Sequence, residues 1–455
     1  MAPFLSWMYR SRWSLSTAAA LVCCCSIAAG QVNNERTRKV LEDKAKVTAE
    51  GFWIYGDLPA AFELAQQTGK PLLVVLRCLP CEECVKLDDE VVDRDPVIRP
   101  LLEQFVCVRV VSTNGLDLSL FQFDTDQSFA AFMLRDDQTI YGRFGTRSHR
   151  TDWIGDVSIP GFAEALRGAL ELHAAWPRDQ KALQAKVGPK PLISRPERFP
   201  SLKEKYAYTS SIDYSGDVVR SCIHCHQIGD AVRDELRAQQ KPIPEELIFP
   251  YPHPKSVGIV LDPKTQATIS SVQPQSPAAH AGLAAGDKIV RLNGQPIISM
   301  ADVQWVLHHA SPAGETIDCR IQRDQQTLTL PLELEPGWRR ESDISWRVSV
   351  WGLGRMALGG MRLEALTPEE RSSLTFDPGP MALRVRSVGQ YGAHATAKKT
   401  GFQVNDLLVS VDQRTDFHAE ADVIRYGVGE KTSGALTIEF FRDGVKKMLE
   451  LPLQK

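Results

Sequence analysis

Apolar positions recur at helical spacing from Pro59 to Gln67, stop at Gly69, and then run unbroken from Leu72 to Leu76. That order predicts an amphipathic helix followed by a buried strand. A second apolar strand is expected over Phe105 to Val111. Two hairpin strands, Phe129 to Leu134 and Thr139 to Arg143, flank the turn Asp136-Asp137-Gln138, and a last amphipathic helix runs from about Ile159 to Ala175. Helix, strand, helix, strand, hairpin and helix predict an α/β unit over residues 51–182, with a mixed sheet covered on both faces. Residues 31–50, ahead of it, are polar and charge-mixed and read as a flexible leader.

Beyond this unit the periodicity breaks. Gly188-Pro189-Lys190-Pro191 and the prolines at 196 and 200 mark a linker within residues 183–253. Cys222 to about Gln240 returns to helical spacing, and Pro242, Pro244, Pro250, Pro252 and Pro254 predict a rigid extended connection. Two related α+β segments follow, over 254–336 and 345–455, each with a small-residue helix start, an Asp-apolar-apolar strand and a terminal hairpin. The chain is therefore multidomain, as 455 residues exceed what one core organises.

Charge narrows the partners. Lys plus Arg number 53 against 56 for Asp plus Glu, with no long basic run, so nucleic acid is not an expected partner. Gly352-Leu353-Gly354 and Gly427 to Thr432 lack a phosphate-binding Gly-Lys pair and read as turns, so no nucleotide is expected. Arg10 and Arg12 precede an apolar run from Trp13 to Ala29, closed by small residues, and residues 1–30 read as a secretory signal peptide. The expectation is a periplasmic or otherwise exported protein, soluble after cleavage; the alternative is a retained leader acting as an anchor.

Cleavage would leave Cys78, Cys81, Cys84, Cys107, Cys222, Cys225 and Cys319. Two clusters and two singletons do not form a disulfide framework, so the clusters are expected to carry chemistry, and Cys107 and Cys319 to be packing thiols. Cys78-Leu79-Pro80-Cys81-Glu82-Glu83-Cys84 follows the Leu72 strand, where a helix should begin. A helix N-terminus stabilises a thiolate, and a partner three residues on can resolve a mixed disulfide. Both Cys81 with Cys84 and Cys78 with Cys81 have that spacing. Cys222-Ile223-His224-Cys225-His226 is a CxxCH motif, which attaches c-type haem through two thioethers while the histidine binds the iron. His226 would be the proximal ligand, and His253 in Pro252-His253-Pro254 the candidate distal ligand.

Lys70-Pro71-Leu72-Leu73-Val74-Val75-Leu76-Arg77, followed by Cys81-Glu82-Glu83-Cys84, resembles secreted thioredoxin-like proteins. The resemblance implies that Cys81 attacks and Cys84 resolves, with Cys78 able to relay. It also marks a departure: Asp126-Gln127-Ser128-Phe129 offers no proline where thioredoxins keep a cis-proline facing the disulfide. Val257-Gly258-Ile259-Val260-Leu261, Ser276 to Leu283, Gly286-Asp287-Lys288-Ile289-Val290 and Leu292-Asn293-Gly294 resemble a bacterial PDZ domain. That match implies peptide binding at Gly258, Ile259 and Val260 by strand addition. Gly359-Gly360-Met361-Arg362-Leu363 and Lys399 to Leu408 form a weaker copy.

Taken together, the order is similar to the thioredoxin-like and PDZ domain (seleno)protein family, with a c-type haem motif between the two parts. All three redox positions are cysteine here. The expected function is an exported thiol-disulfide oxidoreductase with covalent haem c, whose PDZ domains recruit exported or membrane proteins. The alternative is a haem electron-transfer or scaffold protein with a structural thioredoxin-like domain. No glycine-rich nucleophilic serine with a matching histidine and aspartate lies upstream of the PDZ segments, so serine protease activity is not expected.

Overall fold

The computed structural model describes residues 35–77, 95–127, 129–146 and 157–454. The signal segment 1–30, Cys78, Cys81, Cys84 and Ser128 lie outside them.

The first unit is built on β1 (Ile54–Tyr55), β2 (Leu72–Arg77), β3 (Val106–Val110), β4 (Phe129–Leu134) and β5 (Ile140–Thr146). Their order in the sheet is β1-β3-β2-β4-β5, with β1, β2 and β3 parallel and β4 and β5 antiparallel. Every residue of β2, β3 and β4 is buried, Arg77 and Arg109 included, as strands covered on both faces require. One face, with Leu73, Val75 and Cys107, packs against Val47 of helix α1 (residues 35–50) and against Phe162 and Leu166 further on. The opposite face, with Leu72, Val74, Leu76 and Val108, packs against Ala61 and Ala65 of α2 (Leu58–Thr68). Gly69 ends α2 in the left-handed conformation, its N–H bonded to the Ala65 carbonyl, so the predicted stop is a C-cap. The first face is completed by α3 (Ile98–Leu102) and α4 (Ile159–Ala174).

Two boundaries differ from the sequence reading. Residues 35–50 are helical: Val40 and Val47 are buried, and Asp43 reaches Arg77 at 2.6 Å and Arg109 at 3.4 Å. A buried ion pair and two apolar contacts hold this stretch on the sheet, so it is not a flexible leader. Residues 183–253 are not a free linker either. The described part of the β3-to-β4 connection, 111–127, is irregular, and the sheet face it leaves is covered by Ile223, Ile228 and Ala231, the last two on α5 (Cys225–Ala238). Burying Ile223 and Ile228 contributes about 1.5–3 kcal/mol each, which is what draws this segment back.

The PDZ segment forms β6 (Ile259–Leu261), β7 (Ile269–Val272), β8 (Lys288–Leu292), β9 (Gln295–Pro296), α6 (Met300–His309), β10 (Glu315–Arg323) and β11 (Gln326–Leu334). Its helix α6 lies against the edge strand β5. Ser299 Oγ donates to the Arg143 carbonyl, Arg143 N–H donates to Asp302 Oδ1 at 3.2 Å, and Lys186 pairs with Asp302 at 2.8 Å with both side chains fully buried. A Cβ at Gly142 would stand 2.4 Å from Ile298 Cδ1, so the close approach requires glycine.

The last unit carries α7 (Ser349–Leu358), β12 (Met361–Ala365), β13 (Leu383–Val388), β14 (Leu407–Val411), α8 (Glu420–Arg425), β15 (Ala435–Arg442) and β16 (Val445–Pro452) in one five-stranded sheet. It repeats the plan of the PDZ segment down to an ion-pair bracket. Arg323 clamps Asp287 at 2.6 and 2.7 Å and donates to the Gly282 carbonyl; Arg442 clamps Asp406 at 2.6 Å through both contacts and donates to the Gly401 carbonyl. Asn405 holds a φ of 73° where Gly286 holds 92°, which explains how asparagine replaces the second glycine. Gly352 and Gly354 lie within α7, not in a turn. The proline-rich connection is not simply extended: it holds a short helix, Glu245–Ile248, and seats Ile243, Ile248 and Phe249 in the core of the last unit.

Candidate functional site

The carboxyl ends of β2 and β3 meet at one end of the sheet, where open α/β sheets place their ligands. β2 ends on Arg77, which is buried against Asp43 and leads directly into Cys78. β3 continues into Ser112-Thr113-Asn114-Gly115, and this turn grips the middle of the CxxCH motif. Thr113 N–H and Oγ1 donate to the Ile223 carbonyl at 3.0 and 2.9 Å, and Ile223 N–H donates to Asn114 Oδ1 at 2.8 Å. The Asn114 amide donates on to the carbonyls of Thr209 and Ser221 at 2.7 and 2.9 Å. Ile223 is fully buried. These anchors were not foreseen, although a Ser-Thr-Asn-Gly run directly after a strand is a turn signature that could have flagged them.

The motif itself is not one helix. Cys222 is extended, His224 is the N-cap, and the helix begins at Cys225, so Cys222 does not share a helical face with Cys225 and His226. Cys222 is buried with its thiol 3.9 Å from the Val111 carbonyl. Cys225 packs against the core of the sheet, and burial pushes its thiol up to about 12. His226 turns the other way, its Nδ1 3.6 Å from Asp230, which also holds Arg233 at 2.7 Å. Burial, with His226 and Arg36 nearby, holds the His224 imidazole down to about 4.

A covalent haem needs both thiols and the His226 ring on one porphyrin. The donor set is right, but among the described residues the packing around the two thiols leaves little room for the group. The cavity bounded by Cys225, His224, Leu76, Arg77 and Val110 has a volume of only about 10 Å³, room for a single water. A cleft of about 850 Å³ opens beside the ends of β1 and β3, lined by Tyr55, Phe62, Asn114 and Tyr214, and neither thiol borders it. His253, the candidate distal ligand, is instead the N-cap of a short 3₁₀ helix, its Nδ1 accepting from Lys255 N–H at 3.1 Å. Cys107 and Cys319 are buried in β3 and β10, as packing thiols should be.

The thioredoxin-like family profile matches residues 53–135, and the PDZ profile matches residues 251–334. The chain contains a thioredoxin-like domain and a PDZ domain. Curated relatives include the periplasmic serine endoprotease DegP of Salmonella typhimurium, 36% identical over 154 residues, 34% of this chain and 28% of that protein. A probable periplasmic serine endoprotease DegP-like protein of a Marinomonas species is 38% identical over 78 residues, 17% of this chain and 16% of its own. The metalloprotease MmpA of Caulobacter vibrioides is 36% identical over 104 residues, 22% and 25% of the two chains. The chain thus spans less than a third of these relatives. Among solved structures, the serine endoprotease from Yersinia pestis matches 17% of this chain and 29% of its own at 26% identity, with a TM-score of 0.15. The HtrA-type protease AlgW with decapeptide matches 32% and 58% at 15% identity, with a TM-score of 0.19.

A PDZ domain binds peptide or protein partners. Gly258 takes a left-handed φ of 85°, and a Cβ there would meet Ser276 Oγ at 1.9 Å, so the loop requires glycine. Its N–H already donates to the Lys255 carbonyl at 3.0 Å. Ile259 and Val260 follow in β6, paired with Val272 and Ser271. No helix among the described residues is long and apolar enough to cross a membrane.

Proposed function

We propose that this protein is an exported thiol-disulfide oxidoreductase whose PDZ domain, together with a second PDZ unit at 345–455, recruits its protein partners. The observation that carries the reading is the join at Arg77: a thioredoxin-like sheet delivers the chain, at its carboxyl end, straight into Cys78-Leu79-Pro80-Cys81-Glu82-Glu83-Cys84. Cys81 attacks a client disulfide, Cys84 resolves the mixed disulfide, and Cys78 can pass the resulting disulfide on. Glu82 and Glu83 oppose a deep fall in thiol pKa, which favours a reducing or isomerising poise over a strongly oxidising one. The duplicated Asp-Arg bracket supports the second PDZ unit, and the periplasmic DegP relatives support export. No step is assigned to haem; Cys222 is buried and Cys225, half-buried, packs against the core of the sheet.

The test uses the full mature chain, since α1 and α5 both belong to the thioredoxin-like core and a fragment confined to 51–182 would lack them. Reduction of insulin or recovery of a scrambled-disulfide substrate, abolished in Cys81→Ser, supports the reading. Equal rates for wild type and Cys81→Ser refute it.

A further inference from the structure

At the carboxyl end of the thioredoxin-like sheet, two of the places that border the strands are filled by the chain itself. Around the loop that enters β4, Gln127, Phe144, Tyr251 and Gln304 enclose only about 10 Å³. Arg347 lies 2.7 Å from Asp124 and 3.3 Å from Asp126 of that loop, and Ser349 Oγ donates to Asp126 at 2.7 Å, so the tail closes this side. Beside the end of β2, the CxxCH segment leaves a space of about 10 Å³ against Arg77 and Val110. Neither space admits more than a water.

The side of β1 and β3 is open. The cleft of about 850 Å³ is bounded by Tyr55, Val111 and Ser112, where these strands end, and follows α2 from Leu58 to Gln66. That stretch of helix is about 12 Å long, which an extended chain covers in about four residues. Tyr55, Phe62 and Tyr214 present half-buried rings to the cleft, and Lys44 Nζ lies 3.5 Å from the centre of the Tyr214 ring, which holds that ring in place. Gln66, Ser210 and Ser211 stand exposed on the rim with amide and hydroxyl groups. An elongated cleft with apolar rings and a polar rim suits a stretch of polypeptide, whose side chains and amides alternate in the same way. The cleft also lies next to the redox segment. Leu76 of β2 is level with Val110 of β3, so Arg77, the residue before Cys78, stands level with Val111, one strand spacing of about 4.8 Å from the cleft wall.

We infer that this cleft seats the client: an extended polypeptide segment flanking the disulfide under attack lies between α2 and the connection that follows β3, with an aromatic or large aliphatic side chain against Tyr55, Phe62 and Tyr214. The inference rests on the oxidoreductase reading and names where its substrate lies. It puts the client on the β3 side of β2, away from the loop before β4 that the tail has closed.

The test measures second-order rate constants for oxidation of the reduced full mature chain, freed of other thiols, by insulin and by bis(2-hydroxyethyl) disulfide, which has no polypeptide to seat. Each event converts the substrate disulfide to two thiols and a dithiol of the protein to a disulfide. Gln66→Trp and Ser211→Trp add an indole to the cleft from two different walls, and each should lower the ratio of the insulin constant to the small-disulfide constant by about tenfold or more. A second measurement needs no change in the cleft. In Cys84→Ser, a mixed disulfide with a cysteine peptide that carries a photoreactive group two residues from its thiol should cross-link within 55–66, 110–121 or 208–214. An unchanged ratio in both tryptophan variants, or cross-links confined to 124–127 and 144–146, overturns this inference and leaves the oxidoreductase reading standing. Insulin reduction by the wild type no faster than by an equal concentration of a free small thiol overturns that reading itself.

Discussion

Arg347 Nη1 lies 2.7 Å from Asp124 Oδ1, a fully buried ion pair that joins the start of the last unit to the loop entering β4. The same guanidinium reaches Asp126 at 3.3 Å and donates to the Pro250 carbonyl, while Ser349 Oγ donates to Asp126 at 2.7 Å. The loop that lacks the thioredoxin cis-proline is therefore covered by the tail, and Asp126 is spent on that contact. Removing the arginine strands two carboxylates in a dry interface. Arg347→Met should cost about 3–5 kcal/mol, read as a shift in the urea unfolding midpoint. A loss within error of zero would mean that the loop and the tail are not coupled.

His224 gives a pH dependence with a definite sign. Folded, its imidazole is held neutral down to about 4, chiefly by burial; unfolded, it titrates near its ordinary 6.5. Below that value the unfolded chain takes up a proton that the folded chain refuses. The stability is complete above about pH 7 and falls as the pH drops toward 4, by about 2 kcal/mol at pH 5. Urea midpoints at pH 7.5 and pH 5 should differ accordingly, and His224→Gln should remove that share of the difference.

The motif thiols should be inert in the folded protein. With its thiol pushed up to about 12, Cys225 is ionised at pH 8 on the order of one part in ten thousand. Alkylation of native protein followed by peptide mapping should leave Cys222 and Cys225 unlabelled until denaturant is added. Chain secreted by a host that assembles c-type cytochromes should show the mass of the bare polypeptide. A mass increment of one haem at the 222–226 peptide would reverse this assignment.

Asn114 should matter more than an exposed turn residue normally does, because its one side chain serves Thr209, Ser221 and Ile223. Asn114→Ala leaves those backbone groups without their partner and should cost about 2–3 kcal/mol by chemical denaturation. Asn114→Asp, which keeps only the acceptor, should fall between the two.

Much of this architecture is legible in the chain. The Leu72 and Phe105 runs become strands within a residue of their predicted ends, because fully buried strands have no polar face to blur them. Gly69 stops its helix where a left-handed cap is needed. What pattern alone misses are elements whose burial depends on distant partners. The polar stretch 35–50 folds because Asp43 meets Arg77 and Arg109, and neither arginine marks the helix that will cover it. Cys222 and Cys225 carry the spacing of a haem site, yet the irregular 111–127 connection leaves a sheet face uncovered, and that vacancy draws their segment into the core. The site's anchoring turn at 112–115 is local and readable; its partner, over a hundred residues later, is not.

The most direct measurement of the central proposal is the rate at which full mature protein, kept reduced by a small dithiol, reduces insulin. The proposal predicts a rate well above the dithiol alone that vanishes in Cys81→Ser, and a mixed disulfide trapped in Cys84→Ser. Unchanged turnover in both variants, with native unfolding midpoints, would contradict it.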